Sequence, residues 1–255
     1  MPTSSNPSTL IIIPTYNEAE NIRTTVNAVF KNLPDTSILI VDDGSPDGTG
    51  NLADEMARVN DRIYVLHRAE KGGLGAAYLA GFDWALSRPF EHIGEFDADG
   101  SHPAEALPRM REALGAAEAP GLAIGSRWVP GGTVVNWPKS REVLSRGGNL
   151  YARIMLRLPV ADATAGYRLY TANTLRSIDL QSVISKGYCF QVDLTLRVHD
   201  AGGRITEVPI EFRERERGES KMGRSIVLEA MYKVTVWGFQ RAARRLTGRS
   251  VRHPA

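Results

Sequence analysis

The sequence predicts an α/β domain built on a mostly parallel central sheet flanked by helices. Three observations carry this expectation. Short runs rich in Ile, Leu and Val alternate with stretches of helical spacing. Polar clusters containing Gly, Pro or Asp close three of those runs, which is where sheets of this kind hold their ligands. The composition is ordinarily globular, with 255 residues, 42% hydrophobic and 24% charged, enough to bury an ample core.

Residues 9–13 are a β-branched and Leu run that reads as a buried strand ended by Pro14. Residues 18–31 follow with helical spacing through Ile22, Val26, Val29 and Phe30. A second strand at 37–41 closes on Asp42-Asp43-Gly44-Ser45-Pro46-Asp47-Gly48-Thr49. Helix-like sequence, a strand at 62–66, a helix at 74–86 and a strand at 91–96 complete the regular part, and a further helix starts near Pro103. The clusters 14–18, 42–49 and 97–102 therefore share one end of the sheet and should converge on one crevice.

In that crevice Asp97 and Asp99 stand two residues apart. A strand alternates its faces, so both carboxylates reach one ion only if the chain turns at 98–100, which Gly100 and Pro103 favour. Hard oxygen donors of this kind suit Mg²⁺ or Mn²⁺, ions that share their shell with substrate phosphates. Asp42 and Asp43 can accept hydrogen bonds from a base or ribose, while Gly44 and Gly48 let backbone approach a ligand. Lys71-Gly72-Gly73-Leu74-Gly75 has the spacing of neither the Walker loop nor the dinucleotide fingerprint, so it reads as a helix start whose amides face ligand.

Cys189 is the only cysteine, which excludes an intrachain disulfide, and it reads as a small buried hydrophobe. Residues 1–8 lack the basic and apolar regions of a signal peptide, and no apolar run reaches bilayer length, so the expectation is a cytoplasmic protein. The net charge of +2 conceals an asymmetry. Residues 220–255 hold eight Lys/Arg against Glu229, a net of +7, which leaves −5 for the rest. A tail of that sign points to an anionic partner, and its mixture of apolar and basic residues over 225–246, with Trp237, suits a helix in the headgroup region of a membrane surface. The competing expectation is a helix docked on the domain. His102 and His199 have no metal-spaced partner and read as neither ligands nor proton shuttles.

Pro14-Thr15-Tyr16-Asn17-Glu18, Val41 through Thr49, Asp97-Ala98-Asp99, Gly125-Ser126-Arg127 and Gly218-Glu219-Ser220-Lys221 occur in an order that resembles the family-2 inverting glycosyltransferases. Within them the dolichol- and polyprenol-phosphate mannose synthases are the nearest match, and the Arg/Ala-rich composition without membrane spans looks most like their actinobacterial members. The resemblance covers residues 10–245. It implies a GT-A nucleotide-binding fold, GDP-mannose as donor, polyprenyl phosphate as acceptor and a divalent cation as cofactor. It also implies that some members work with an integral-membrane anchor protein; nucleic acid is not an expected partner. Carried over by position, Pro14, Tyr16, Glu18 and Asp43 hold the nucleotide, Asp97 and Asp99 bind metal and contact the nucleotide-sugar, and Ser101 stands where some relatives place a Gln in the metal shell. Arg127, Arg215 and Lys221 match arginine and lysine positions near donor or acceptor phosphate.

A phosphate acceptor is already anionic near neutrality and needs positioning more than a strong base, which fits Arg127, Arg141, Arg168, Arg215 and Lys221 as candidates. The expected organisation is a flexible N-terminus at 1–8, a catalytic domain at 9–222, an amphipathic helix at 223–246 and a basic tail at 247–255. Residues 127–139 read as a long mobile loop and 140–156 as a helix. The stripe of Val143, Leu144, Leu150, Ile154, Met155 and Leu158 has core as its ordinary fate, with one wall of an isoprene groove as the alternative. A UDP-sugar donor and a nonenzymatic nucleotide-binding membrane scaffold are the competing functional expectations.

Overall fold

The computed structural model describes residues 8–115, 121–185, 187–214 and 224–246. Strands β1 (Thr9–Thr15), β2 (Ser37–Asp42), β3 (Ile63–His67) and β4 (His92–Glu95) alternate with helices α1 (Ile22–Asn32), α2 (Thr49–Val59) and α3 (Leu74–Leu86). Helix α4 (Leu107–Leu114), β5 (Gly121–Ser126), β6 (Thr133–Val135) and α5 (Lys139–Leu156) follow. The chain continues through β7 (Arg168–Thr171), α6 (Ala172–Ser177), α7 (Tyr188–Asp200), β8 (Arg204–Pro209), β9 (Glu211–Arg213) and α8 (Arg224–Leu246).

Seven strands form one sheet in the order β3-β2-β1-β4-β7-β5-β8. The pairs β1–β2, β1–β4, β2–β3 and β5–β8 are parallel, whereas β7 runs antiparallel to both β4 and β5. The strand order reverses between β1 and β4, so the switch point falls where the clusters after Thr15 and Glu95 leave the sheet.

Successive side chains of β1 feed two cores. Leu10 and Ile12 join Tyr78, Phe82, Leu156 and Phe190 on one face, and Ile11 and Ile13 join Val26, Val29, Met110 and Leu114 on the other. Each such buried aliphatic contributes about 1.5–3 kcal/mol of transfer free energy. In β4 the fit is close enough to require glycine: a Cβ on Gly94 would lie 2.7 Å from Ile11 Cδ1 and 3.0 Å from Leu169 Cδ1.

Three expectations change. The first predicted helix begins at Ile22, because Glu18 turns the chain first, its carbonyl accepting the amides of Asn21 and Ile22. The segment read as a long loop carries β6, paired in parallel with β9 through Thr133 and Glu211, and Trp137 packs on Phe212 with ring centroids 5.6 Å apart. Its partners lie some eighty residues onward, out of reach of a turn-based reading. The predicted core stripe on α5 is mostly outside: Val143, Leu144, Leu150 and Ile154 are exposed, whereas Leu158 is buried.

Helix α8 lies against α5 and α7. Val234 is buried, Trp237 packs against the core, and Tyr151 and Thr235 share a hydrogen bond of 2.6 Å. Trp237 therefore helps to dock α8 on the domain, as the second of the two expectations for this helix has it.

Candidate active site

The first two strand-end loops are stitched into one frame. Buried Asp42 accepts from Thr15 Oγ1 at 2.9 Å, from Ser45 Oγ at 2.5 Å and from the Ser45 amide at 3.1 Å. The Asn17 amide donates to Ser45 Oγ, the Glu18 amide to Thr49 Oγ1, and the Ala19 amide to Asp47 Oδ2. Asp47 also accepts both the amide and hydroxyl of Thr49, so the second loop is closed by its own side chains. Asn17 sits in the left-handed region at φ 62°, the conformation that lets the chain leave Tyr16 and re-form at Glu18.

Asp43 reaches a third loop. Arg68 Nη1 donates to Asp43 Oδ1 at 2.6 Å and the Gly72 amide to Oδ2 at 3.2 Å, so the glycine loop turns an amide to this carboxylate. Lys71 Nζ stands 3.5 Å from the centroid of the partly exposed Tyr16 ring, a cation–π contact at the crevice mouth.

Beyond β4 the chain turns at 98–100, with Gly100 at φ 76°, as required for Asp97 and Asp99 to face one ligand. The Ser101 amide donates to Asp99 Oδ1 at 3.0 Å, and Ser101 is buried. Asp97 is held from two sides. Tyr78 Oη on α3 donates to Oδ1 at 2.9 Å, while His102 Nδ1 accepts the Asp97 amide at 3.0 Å. That bond puts the proton of a neutral His102 on Nε2, 3.6 Å from Asp97 Oδ2. The imidazole is buried and stacked on Tyr167 with centroids 4.8 Å apart. Burial first, and the Asp97 charge next, raise the Tyr78 phenol well above its ordinary range, so it stays a donor.

Beneath this pair Glu95 is fully buried, accepting from Tyr170 Oη at 2.8 Å and Gln191 Nε2 at 2.5 Å. Desolvation pushes its carboxyl up to about 7 against the opposing pull of Arg168. Arg168 itself is fully buried, its Nε and Nη2 donating to the carbonyls of Ala165 and Ala163. This corrects its candidacy for acceptor phosphate: it is the countercharge beneath the site.

Arg127 leaves the end of β5 and forks onto Asp162, with Nε to Oδ2 at 2.8 Å and Nη2 to Oδ1 at 2.7 Å. Nη2 also donates to Thr164 Oγ1, and the amides of Ala161 and Asp162 are held by Glu207. Arg141 stacks on Trp137 at 4.0 Å and pairs with Glu214. Arg127, Trp137, Leu144, Tyr151, Thr164, Val192 and Val234 line a largely apolar cavity of about 100 Å³ between α5, α7 and α8. Cys189 is buried at its wall. Thr164 stands two residues from Gly166, where an added Cβ would lie 3.9 Å from Asp97 Oδ2, so the segment that lines the cavity continues past this carboxylate. Arg215 and Lys221 lie outside the described residues.

Among the described residues no group of three or more His, Cys, Asp or Glu could hold a metal. Asp97 and Asp99 thus offer a two-carboxylate set, the donor pattern of a cation that completes its shell with water and phosphate oxygens. Sequence reading missed Tyr78 and Gln191, did not pair Asp162 with Arg127, because these partners are distant along the chain, and gave His102 no part. Its place five residues after Asp97, across a glycine turn, was the one local signal.

A mostly parallel sheet with a switch-point crevice, Asp97 and Asp99 lying just beyond one of its strand ends, is the architecture of a GT-A fold. The chain belongs to glycosyl transferase family 2, whose model matches residues 10–178, and it is a glycosyltransferase. It is 55% identical over 241 residues to the polyprenol monophosphomannose synthase of Mycolicibacterium smegmatis, covering 94% of this chain and 90% of that protein. It is also 55% identical to the undecaprenyl-phosphate mannosyltransferase of Micrococcus luteus, covering 90% and 93%. The fold matches mannosyltransferase PcManGT from Pyrobaculum calidifontis in complex with GDP-Man and Mn²⁺ at a TM-score of 0.58 and 17% identity, covering 94% of this chain and 65% of that one. Glucosyl-3-phosphoglycerate synthase from Mycobacterium tuberculosis, in complex with Mn²⁺, UDP and glucosyl-3-phosphoglycerate, matches at 0.61 and 17%, covering 92% and 79%.

Proposed function

We propose that the protein transfers mannose from GDP-mannose to polyprenyl phosphate, with inversion at the sugar carbon, to give a lipid-linked mannose donor. The observation that carries this reading is the apolar cavity lined by Arg127 and Thr164, a place for a chain with an anionic head, in a segment whose Gly166 stands near the Asp97 carboxylate. The names of the two relatives at 55% identity support the same substrate pair.

In this reading Asp97 and Asp99, with Ser101 behind them, hold Mg²⁺ or Mn²⁺. When bound, that ion neutralises charge building on the leaving diphosphate. Pro14, Tyr16, Glu18 and Asp43 receive the nucleotide, Tyr16 offering a ring face and Asp43 a carboxylate set in place by Arg68. Arg127 and Arg141, with Arg215 and Lys221, orient the acceptor phosphate. Arg127 does so from a fixed position, since Asp162 holds its fork while Trp128, Trp137 and Phe212 surround it at 5.4–5.5 Å. The anionic acceptor attacks without a strong base, and inversion follows from attack opposite the leaving group. Residues 9–222 make the catalytic domain and 223–246 a helix at the membrane, at the cytoplasmic face, with an integral-membrane anchor protein as a further partner.

The test is nucleoside-diphosphate release and lipid-product mass with GDP-mannose, UDP-glucose and UDP-GlcNAc, each with polyprenyl phosphate, with and without Mg²⁺ or Mn²⁺. The expected product is a hexosyl-phosphate lipid from GDP-mannose alone, dependent on metal and absent in Asp97→Asn. Product from a UDP sugar overturns the donor. Nucleotide binding without turnover, even with membranes added, overturns the enzyme in favour of a binding scaffold.

A further inference from the structure

We infer that Glu214 belongs to the acceptor site: its carboxylate holds Arg141 in the place that an acceptor phosphate takes, and the phosphate binds by exchange with it. The inference rests on the phosphate-acceptor reading above and adds to it the group that the acceptor must displace.

The two candidate arginines are held in different ways. Arg127 is buried and meets Asp162 through two bonds, from Nε and Nη2, so neither group can leave without stranding a buried charge. Arg141 meets Glu214 through Nη1, and the two side chains keep 20% and 29% of their surface exposed. Its Nε is buried and has no hydrogen-bond partner among the described residues. One bond to a carboxylate, with Nε left over, uses little of a guanidinium that carries five donors. Glu214 is thus a replaceable partner, whereas Asp162 is a fixed one.

The backbone brings Glu214 to this place. Strand β9 pairs with β6 so that Arg213 stands opposite Val135, and the Glu214 amide donates to the Val135 carbonyl at 3.2 Å. Trp137 follows two residues after Val135, and its ring centroid lies 4.0 Å from the Arg141 guanidinium and 5.5 Å from that of Arg127. The same indole lines the apolar cavity beside Arg127. One ring therefore links the Arg141–Glu214 pair to the wall of the cavity.

Charge decides the direction of exchange. A carboxylate offers one negative charge on two oxygens, whereas a phosphate monoester near neutrality offers nearly two on three, so phosphate is the stronger partner for a guanidinium. If Glu214 stayed in place, the two anions would repel each other across Arg141. The apparent affinity for the acceptor is then reduced by the fraction of the time that Arg141 is free of Glu214. Sugar transfer turns the monoester into a diester with a single charge, a weaker competitor, and Glu214 regains Arg141 as the product leaves.

Glu214 acts through Arg141, so it is a positioning residue, and the decisive readout is affinity for phosphate. The test is calorimetric titration of the full chain with geranyl phosphate, a soluble isoprenyl phosphate, in the presence of GDP and Mn²⁺, with the KM for polyprenyl phosphate in sugar transfer measured alongside. Glu214→Gln should tighten geranyl phosphate and lower that KM by at least about threefold, while the affinity for GDP–Mn²⁺, which reports the folded domain, stays unchanged. Glu214→Ser, which removes the carboxylate by truncation, should show the same gain. Glu211→Gln removes the same charge from the same strand, where Glu211 pairs with Arg213, and should bring no gain. In an Arg141→Gln background Glu214→Gln should also bring none. An equal gain from Glu211→Gln, or a gain that persists without Arg141, overturns the exchange in favour of a general change in charge. Geranyl phosphate binding that both Glu214 changes leave unaltered or weaken overturns the exchange alone. Absence of that binding in wild type and in both Glu214 variants overturns the exchange and the acceptor reading together. Tighter binding by Glu214→Gln in a protein that transfers no sugar supports the exchange and overturns the catalytic reading instead.

Discussion

Tyr78 Oη donates to Asp97 Oδ1 at 2.9 Å, tying the middle of α3 to the first carboxylate of the proposed metal pair. The phenol is buried, stacked between Phe82 and Phe190, and cannot follow Asp97 elsewhere. Asp97 is therefore oriented before any ligand arrives.

Tyr78→Phe keeps the stacking and removes that donor. Outer partners of metal ligands are worth about 10–100-fold in metal affinity or activity, and a Mn²⁺ titration of the variant should show weakening in this range with an unchanged denaturation midpoint. A Mn²⁺ affinity equal to wild type would make the contact merely structural.

Asp97→Asn and Asp99→Asn remove the two candidate metal carboxylates. Both should abolish Mn²⁺-dependent GDP binding and sugar transfer, read by calorimetry and by product mass. Ser101→Ala should be milder, because the Ser101 amide and not its hydroxyl bonds Asp99.

Arg127 and Asp162 form a buried bidentate pair, and breaking such a pair from one side costs about 3–5 kcal/mol. Asp162→Ala should lower stability by that amount in urea unfolding. Arg127→Lys, which keeps charge but loses the fork, should lose transfer with a smaller stability loss. Equal stability of Asp162→Ala and wild type would contradict the pairing.

His92 opens β4 fully buried, and neither ring nitrogen has a hydrogen-bond partner among the described residues. Burial pushes its pKa below the usual 6.5, with Arg111 adding to the effect and Glu91 opposing it. A depressed folded value means that His92 costs nothing above the unfolded pKa. Stability is lost as pH falls from about 6.5 toward the folded value, because the unfolded chain takes up the proton first. His92→Leu should therefore gain on wild type at pH 5.5 relative to pH 7.5, measured as the difference in urea midpoint. A constant difference across that range would show that His92 does not titrate in this way.

Gly94→Val forces a side chain into the contact between Ile11 and Leu169. Overpacking of this kind costs about 1–3 kcal/mol, and thermal or urea unfolding reads it directly.

Much of the frame was legible in the sequence because its causes are local. Apolar runs with Pro or Asp-Gly at their ends set β1, β2 and β4 and put Asp43, Asp97 and Asp99 at carboxyl ends of strands or just beyond, whatever the rest of the chain does. Turn chemistry at Gly100 likewise needs only its neighbours.

Other features depend on partners far along the chain. Nothing within a few residues of Arg127 names Asp162, thirty-five positions on, or separates Arg168, fixed under Glu95, from an arginine free to meet phosphate. The antiparallel insertion of β7 follows from which strand edges remained open beside β4 and β5, a property of the assembled sheet.

Helix α5 shows the division most sharply. Its sequence determined an apolar stripe at helical spacing, since periodicity is written in residue order. Whether that stripe was core or surface was decided by α8 packing against α5 and by Ala152, Leu156 and Tyr151 turning to the core, which left Val143, Leu150 and Ile154 to the outside. Burial is a relation between elements, and only the tertiary structure contains it.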